Sequence, residues 1–146
     1  MVRPVIRQSS RDYIGMTEIL IVDDSPTIRR MVRASLARFV PSAEFLEAGS
    51  GLEAIERLAV GTVALIVLDL NMPDMHGLEV LQFVRSHQRY RQVPIIVLTT
   101  RGDDDSRVSA MQAGASTFLT KPFAPDALGG AARQLLGADD AAAGVS

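Results

Sequence analysis

The chain has 146 residues, a formal charge of -2 and no cysteine. That length supports one domain with a real core, and the charge balance is neither that of a basic nucleic-acid binder nor that of an acidic disordered chain. Disulfides, thiolate catalysis and cysteine zinc sites are excluded, two histidines give no basis for a histidine metal site, and the longest apolar run, Val63 to Leu68, is far too short to span a bilayer.

Residues 1–16 are basic, polar and without periodicity, which reads as a flexible leader; Met16 is itself a candidate translation start. With no secretory apolar core there, a cytoplasmic location without membrane contact is expected. From Thr17 onward, short apolar runs alternate with longer amphipathic ones. Glu18 to Val22 reads as a buried strand closed by Asp23 and Asp24. Thr27 to Phe39 sets Ile28, Met31, Val32, Ser35, Leu36 and Phe39 at helical spacing, with Pro26 suited to the first turn. Arg29, Arg30 and Arg33 fall outside that stripe, as a solvated face or a surface for an acidic partner. Ala43 to Glu47 is a weak strand and Gly51 to Ala59 a helix. Val63 to Leu68 is a second buried strand, ending at Asp69, and Gly77 to Ser86 a helix with Leu78, Val80, Leu81 and Val84 on its apolar side. Pro94 to Leu98 predicts a strand, Asp103 to Ala113 a helix, Thr117 to Leu119 a short strand and Pro125 to Leu136 a last helix. Gly129 and Gly130 in the middle of that helix imply either close backbone approach or local softness. The small, polar residues 138–146 read as a flexible tail. Five strand–helix repeats over residues 17–137 predict an α/β domain: a doubly wound, five-stranded parallel sheet with five helices.

In such a sheet the carboxyl ends of all strands share one edge, where ligands bind. Asp23 and Asp24 follow the first strand, Asp69 the third, Thr99 and Thr100 the fourth, and Lys121 the fifth. Lys121 is also the only lysine in a chain whose other basic residues are all arginine. Parallel strands lie about 4.8 Å apart, so these groups converge. Three neighbouring carboxylates repel unless a cation is present, and an oxygen donor set without histidine or cysteine favours Mg²⁺ or Mn²⁺. A carboxylate left over is a nucleophile towards phosphorus, with Lys121, the metal and a Thr99 hydrogen bond neutralising the transferred group. Each group also has an ordinary use. Asp24 or Ser25 can cap the first helix, Asp69 can form a turn, and Thr99-Thr100 can cap the helix that follows.

The segments Ile-Leu-Ile-Val-Asp23-Asp24-Ser-Pro, Val-Leu-Asp69-Leu-Asn-Met-Pro-Asp-Met-His-Gly77, Ile-Ile-Val-Leu-Thr99-Thr100 and Ala-Gly-Ala-Ser-Thr-Phe-Leu-Thr-Lys121-Pro-Phe together resemble the receiver domains of two-component response regulators. The resemblance spans nearly all of residues 17–137 and implies a flavodoxin-like strand order 2-1-3-4-5. It also implies that Asp69 is the phosphoacceptor. Mg²⁺ is then held by Asp24, Asp69 and the Asn71 main-chain carbonyl, with Asp23 acting largely through water. Thr99 becomes the switch hydroxyl, Lys121 the phosphate contact and Phe118 the aromatic switch residue, unless that ring is plain core. Asn71 and Arg101 occupy positions that tune phosphate lifetime, and Thr100 is bulky enough to narrow access to Asp69.

The donor implied is a phosphohistidine on a sensor histidine kinase or a histidine phosphotransfer protein. Such a chain catalyses its own phosphorylation and dephosphorylation but is primarily a signalling switch, here expected to stand alone and to act on a downstream protein target rather than on nucleic acid. The alternative is a phosphorylation-independent interaction module on the same fold, which the complete set of acids, threonine and lysine argues against. A flavodoxin-like redox protein would need a phosphate-binding hydroxyl and glycine loop where this chain has two acids.

Overall fold

The computed structural model describes residues 17–145, with side chains to residue 137; the expected leader, residues 1–16, lies outside the described residues. In chain order the elements are β1 (Thr17–Val22), α1 (Pro26–Phe39), β2 (Ala43–Ala48), α2 (Gly51–Val60), β3 (Val63–Leu68), α3 (Gly77–Ser86), β4 (Ile95–Thr99), α4 (Asp104–Gln112), β5 (Thr117–Thr120) and α5 (Pro125–Val145). The strands form one five-stranded sheet in the order β2-β1-β3-β4-β5, and every pairing is parallel. Among the described residues no helix is long and apolar enough to cross a membrane.

The alternation of strand side chains splits the core in two. Leu20, Val22, Ile66, Leu68, Ile95, Val97 and Phe118 point to the face covered by α2, α3 and α4, where Ala54, Leu58, Leu81, Val84 and Ala110 meet them. Ile19, Ile21, Leu65, Val67, Ile96 and Leu98 point to the face covered by α1 and α5, against Val32, Leu36, Leu128 and Ala132. Covering both faces is what makes the central strands read as continuous apolar runs rather than alternating ones. It also leaves the strand ends as the place where polar side chains can gather.

Three features differ from the sequence expectation or decide it. Met31, placed on the buried stripe of α1 by its spacing, is 49% exposed. The buried residues of that helix are Val32, Ser35 and Leu36, and with neighbours about 100° apart on a helix Met31 falls at the border of their stripe. Ser35 is accommodated by donating to the Met31 carbonyl (2.9 Å). The last helix runs past Leu136 to Val145, through the segment read as a flexible tail; that stretch is rich in alanine, the strongest helix former. The paired glycines of α5 have separate roles. A β-carbon at Gly129 would overlap the Phe39 ring of α1, whereas one at Gly130 meets nothing within 4 Å. Close approach is therefore the reason for Gly129, and Gly130 carries only the intrinsic cost of glycine in a helix.

Gly129→Ala is expected to destabilise the fold by about 1–3 kcal/mol through overpacking against Phe39. Gly130→Ala is expected to stabilise it by up to about 1 kcal/mol. Urea melts of the two variants beside wild type measure both.

Candidate functional site

The register of the sheet brings four strand ends together. At the end of β1, the Asp23 N–H donates to the carbonyl of Ala48, the last residue of β2 (3.0 Å), and Asp23 Oδ1 accepts from the Ser25 N–H (2.9 Å). Ser25 is the N-cap of α1, its hydroxyl accepting from the Ile28 N–H (3.2 Å). That settles which residue caps the helix and leaves the exposed Asp24 carboxylate out of the cap. At the end of β3, the Asp69 N–H donates to the Val22 carbonyl (2.9 Å), and Asp69 Oδ1 accepts from the Asn71 N–H (3.3 Å). Asp69 thus also performs the turn-forming role open to it, with its second oxygen still directed at its neighbours.

Thr99 closes β4 fully buried, and its Oγ1 accepts from Asn71 Nδ2 (3.3 Å) and from the Arg101 N–H (3.3 Å). It does not cap the next helix; Asp103 does, accepting from the Ser106 N–H (3.1 Å). Beyond β5, the Lys121 N–H donates to the Thr99 carbonyl (2.8 Å). This aims the Lys121 ammonium inward, 2.6 Å from Asp23 Oδ2 and 3.5 Å from Asp69 Oδ2.

Asp23 and Asp69 are 3% and 5% exposed. Burial pushes the Asp69 carboxyl above the ordinary carboxylate range; the Lys121 charge pulls it down, and the nearby Asp23 charge pushes it up again. One carboxylate oxygen from each of Asp23, Asp24 and Asp69 lies within 4.8 Å of the others, so the three could hold a metal ion. An all-oxygen donor set of this kind fits a hard divalent cation.

Phe118 is buried and already turned inward, packed with Val97 and Ala110. The Arg107 guanidinium of α4 lies 5.0 Å from its ring centroid. Its burial accommodates the ring as a core aromatic in the state described. Thr100 and Arg101 are exposed at the rim. Arg101 Nε lies 3.4 Å from Asp103 Oδ1, and Arg101 shares with Asn71, Leu70 and His76 a cavity of about 200 Å³ beside the acids.

Two bracing residues were not singled out by sequence reasoning. Arg29, read as part of a solvated or partner-facing surface, donates from Nη1 to the Asp23 carbonyl (2.6 Å) and from Nε to Glu47 (2.8 Å). With Arg33 on the other Glu47 oxygen (2.6 Å), the arginine pair holds the Glu47 carboxyl below its usual range. Arg30, in contrast, has no side-chain partner among the described residues. The second is Asp74, which accepts from the Gly51 and Leu52 amides at the start of α2. The only sequence signal for Arg29 was its position one to two turns after the acid pair, and Asp74 stood within the segment that carries the resemblance without a role of its own.

Because burial raises the Asp69 carboxyl, there is a pH window in which the native state keeps a proton that the unfolded chain has lost. Stability therefore falls as pH rises through that window, from the unfolded value up to the folded one. In metal-free protein, Asp69→Asn is expected to be more stable than wild type at neutral pH, and the gain should fade below the ordinary carboxylate range. Urea melts with a chelator across a pH series measure it.

The response regulator receiver domain model matches residues 19–133. Among curated proteins, the chain is 38% identical to the chemotaxis protein CheY1 of Helicobacter pylori over 84% of this chain and 99% of that one. It is 43% identical to the transcriptional regulatory protein SrrA of Staphylococcus aureus over 74% of this chain and 43% of that one. Among solved structures, the chemotaxis response regulator CheY4 of Vibrio cholerae superposes with a TM-score of 0.75 at 34% identity, covering 83% of this chain and 99% of that one.

Proposed function

The chain belongs to the response regulator receiver domain family of two-component signalling, and on that premise we propose that it accepts a phosphoryl group on Asp69 in a Mg²⁺-dependent reaction and relays the change to a protein partner. The carrying observation is the single ammonium of Lys121 set between the buried carboxylates of Asp23 and Asp69 at the meeting point of four strand ends.

The donor is a phosphohistidine of a sensor histidine kinase or a histidine phosphotransfer protein. Asp69 Oδ2 attacks phosphorus, the O–P bond forms, and the N–P bond of the donor breaks with its electron pair leaving on the imidazole. Lys121 is placed to follow the charge from the carboxylate to the phosphoryl oxygens, and little motion is needed because its ammonium already lies 3.5 Å from Asp69. Thr99 supplies a hydroxyl donor once it exchanges its bonds from Asn71 and Arg101 for one to the phosphoryl group. Asp24, Asp69 and the Asn71 carbonyl would hold Mg²⁺, with Asp23 supporting it; the ion supplies charge neutralisation at the transferred group. Asn71 and Arg101, which share the adjoining cavity, govern the approach of water and so the lifetime of the acyl phosphate.

The switch follows from Thr99. Its withdrawal frees the Arg101 amide and disturbs the loop that enters α4, with Phe118 beneath it as the aromatic switch residue. Phosphorylation adds about two negative charges, and it shifts the population only as far as these rearranged contacts favour one state over the other. The receiver is read as a cytoplasmic regulator that acts on a downstream protein without contacting nucleic acid or membrane.

Intact mass after incubation with acetyl phosphate or phosphoramidate is the test. Wild type with Mg²⁺ is expected to carry one labile phosphoryl adduct that is absent without Mg²⁺ and absent in Asp69→Ala. Thr99→Ala and Lys121→Ala should accumulate it more slowly by about two to three orders of magnitude, the range seen when one transition-state donor is lost. A wild type that took no phosphoryl group from either small donors or a phosphohistidine donor would replace this reading with the phosphorylation-independent interaction module.

A further inference from the structure

The loop from Leu70 to His76, which leads from Asp69 into α3, is fastened at two points. At its base the Gly77 N–H donates to the Leu70 carbonyl (2.8 Å), and a β-carbon at Gly77 would lie 2.6 Å from the Leu70 Cα. The two ends of the loop therefore touch. At its tip Asp74 reaches a different element: the Gly51 N–H donates to Oδ1 (3.1 Å) and the Leu52 N–H to Oδ2 (3.1 Å). These are the first two amides of α2, which have no partner inside the helix, and a carboxylate there meets the positive end of the helix dipole. The two bonds hold the Asp74 carboxyl below its usual range. The packing is as close as the bonding, since a β-carbon at Gly51 would lie 2.7 Å from the Met75 Cβ.

This contact closes a ring through the site. Asp69 is bonded to Val22 at the end of β1, and Asp23 to Ala48 at the end of β2. From Ala48 the chain turns directly into α2, and α2 is bonded through Asp74 to the loop that carries Asn71. Without Asp74 this ring is joined on the Asn71 side only by packing, as between Gly51 and Met75, and by no hydrogen bond among the described residues. Helix α2 does not need Asp74 as its cap: the Ser50 hydroxyl accepts from the Glu53 N–H (3.1 Å) and performs that role separately.

We propose that Asp74 is a positioning residue: by clasping the first turn of α2 it fixes Asn71 and Asp69 relative to Asp23 and Asp24, and so sets the affinity of the acid cluster for a divalent cation. The proposal rests on the metal-dependent reading of that cluster. Asp74 touches neither the cation nor the phosphoryl group.

The separate cap makes the test clean, because Ser50→Ala weakens the same helix end without opening the ring. Wild type, Asp74→Asn and Ser50→Ala are compared by calorimetric Mg²⁺ titration and by hydrogen exchange of the Asn71 amide in metal-free protein. Asparagine keeps one acceptor but turns an N–H towards the second helix amide, so it breaks half of the clasp. Asp74→Asn is expected to weaken Mg²⁺ binding about tenfold, at the lower end of what loss of an outer support costs a metal site, and to speed Asn71 exchange by a similar factor. Ser50→Ala should stay close to wild type in both. The proposal is overturned if Asp74→Asn leaves both readouts unchanged, or if Ser50→Ala shifts them equally, which would reduce Asp74 to a helix cap. Exchange is read without metal, so a wild type that bound no Mg²⁺ would remove the metal reading of the cluster and with it the proposal, independently of any change at Asn71.

Discussion

The Lys121 ammonium, 2.6 Å from Asp23 and 3.5 Å from Asp69, is the interaction around which the strand ends are organised. Burial and the nearby Asp23 charge both disfavour the charged form of Asp69. One compact cation on a flexible stem opposes that shift and pairs with both carboxylates. A guanidinium is planar and prefers fixed, forked pairing with one carboxylate, which accounts for a lysine here in a chain that uses arginine at every other basic position. The ammonium offsets only part of the charge: burial still holds the Asp69 carboxyl above the ordinary range. That residual destabilisation of the charged form is an electrostatic reason why the Asp23, Asp24 and Asp69 carboxylates could hold a metal ion.

The support for this arrangement comes from the main chain more than from side-chain packing. Backbone bonds link Asp23 to β2, Asp69 to β1 and Lys121 to β4, so each functional residue is held by a strand other than its own. Arg29 adds a guanidinium bond to the Asp23 carbonyl and is itself oriented by Glu47. The surface of α1 thus contributes to the acid pair beneath it, through a residue whose charge faces inward at one end and solvent at the other.

The parts of the molecule legible in the sequence were those set by short-range pattern. Strands buried on both faces appear as unbroken apolar runs, and a polar residue immediately after such a run has to lie at the sheet edge; Asp23, Asp24, Asp69, Thr99 and Lys121 were found that way. What was not legible depended on partners distant in the chain. Gly129 looked identical to Gly130 until Phe39 of another helix was seen against it. Met31 satisfied helical spacing, but the width of the buried stripe is set by how α1 sits on the sheet and on α5, which spacing does not encode. Whether Ser25 or Asp24 capped α1 turned on a hydrogen bond with two equally suited candidates. The burial of Phe118 and its contact with Arg107 of α4 join elements that spacing within one strand does not relate.

The two ends of α4 are held very differently. At its far end, the Arg85 guanidinium donates to the Gly114 carbonyl (2.9 Å) and to the Arg91 and Val93 carbonyls (3.0 and 2.7 Å), tying the turn after the helix to the loop before β4. Arg85 Cγ would lie 2.7 Å from a β-carbon at Gly114, where the backbone has φ 112°. At its near end, beside the acid cluster, the helix rests on an exposed aspartate cap, and Ala110 is its one buried residue. The far end of α4 is therefore the fixed one, and the near end, beside the loop after Thr99, is the end that local packing restrains least. Arg107, Val108 and Met111 lie exposed on this helix, the last two about half out of the core.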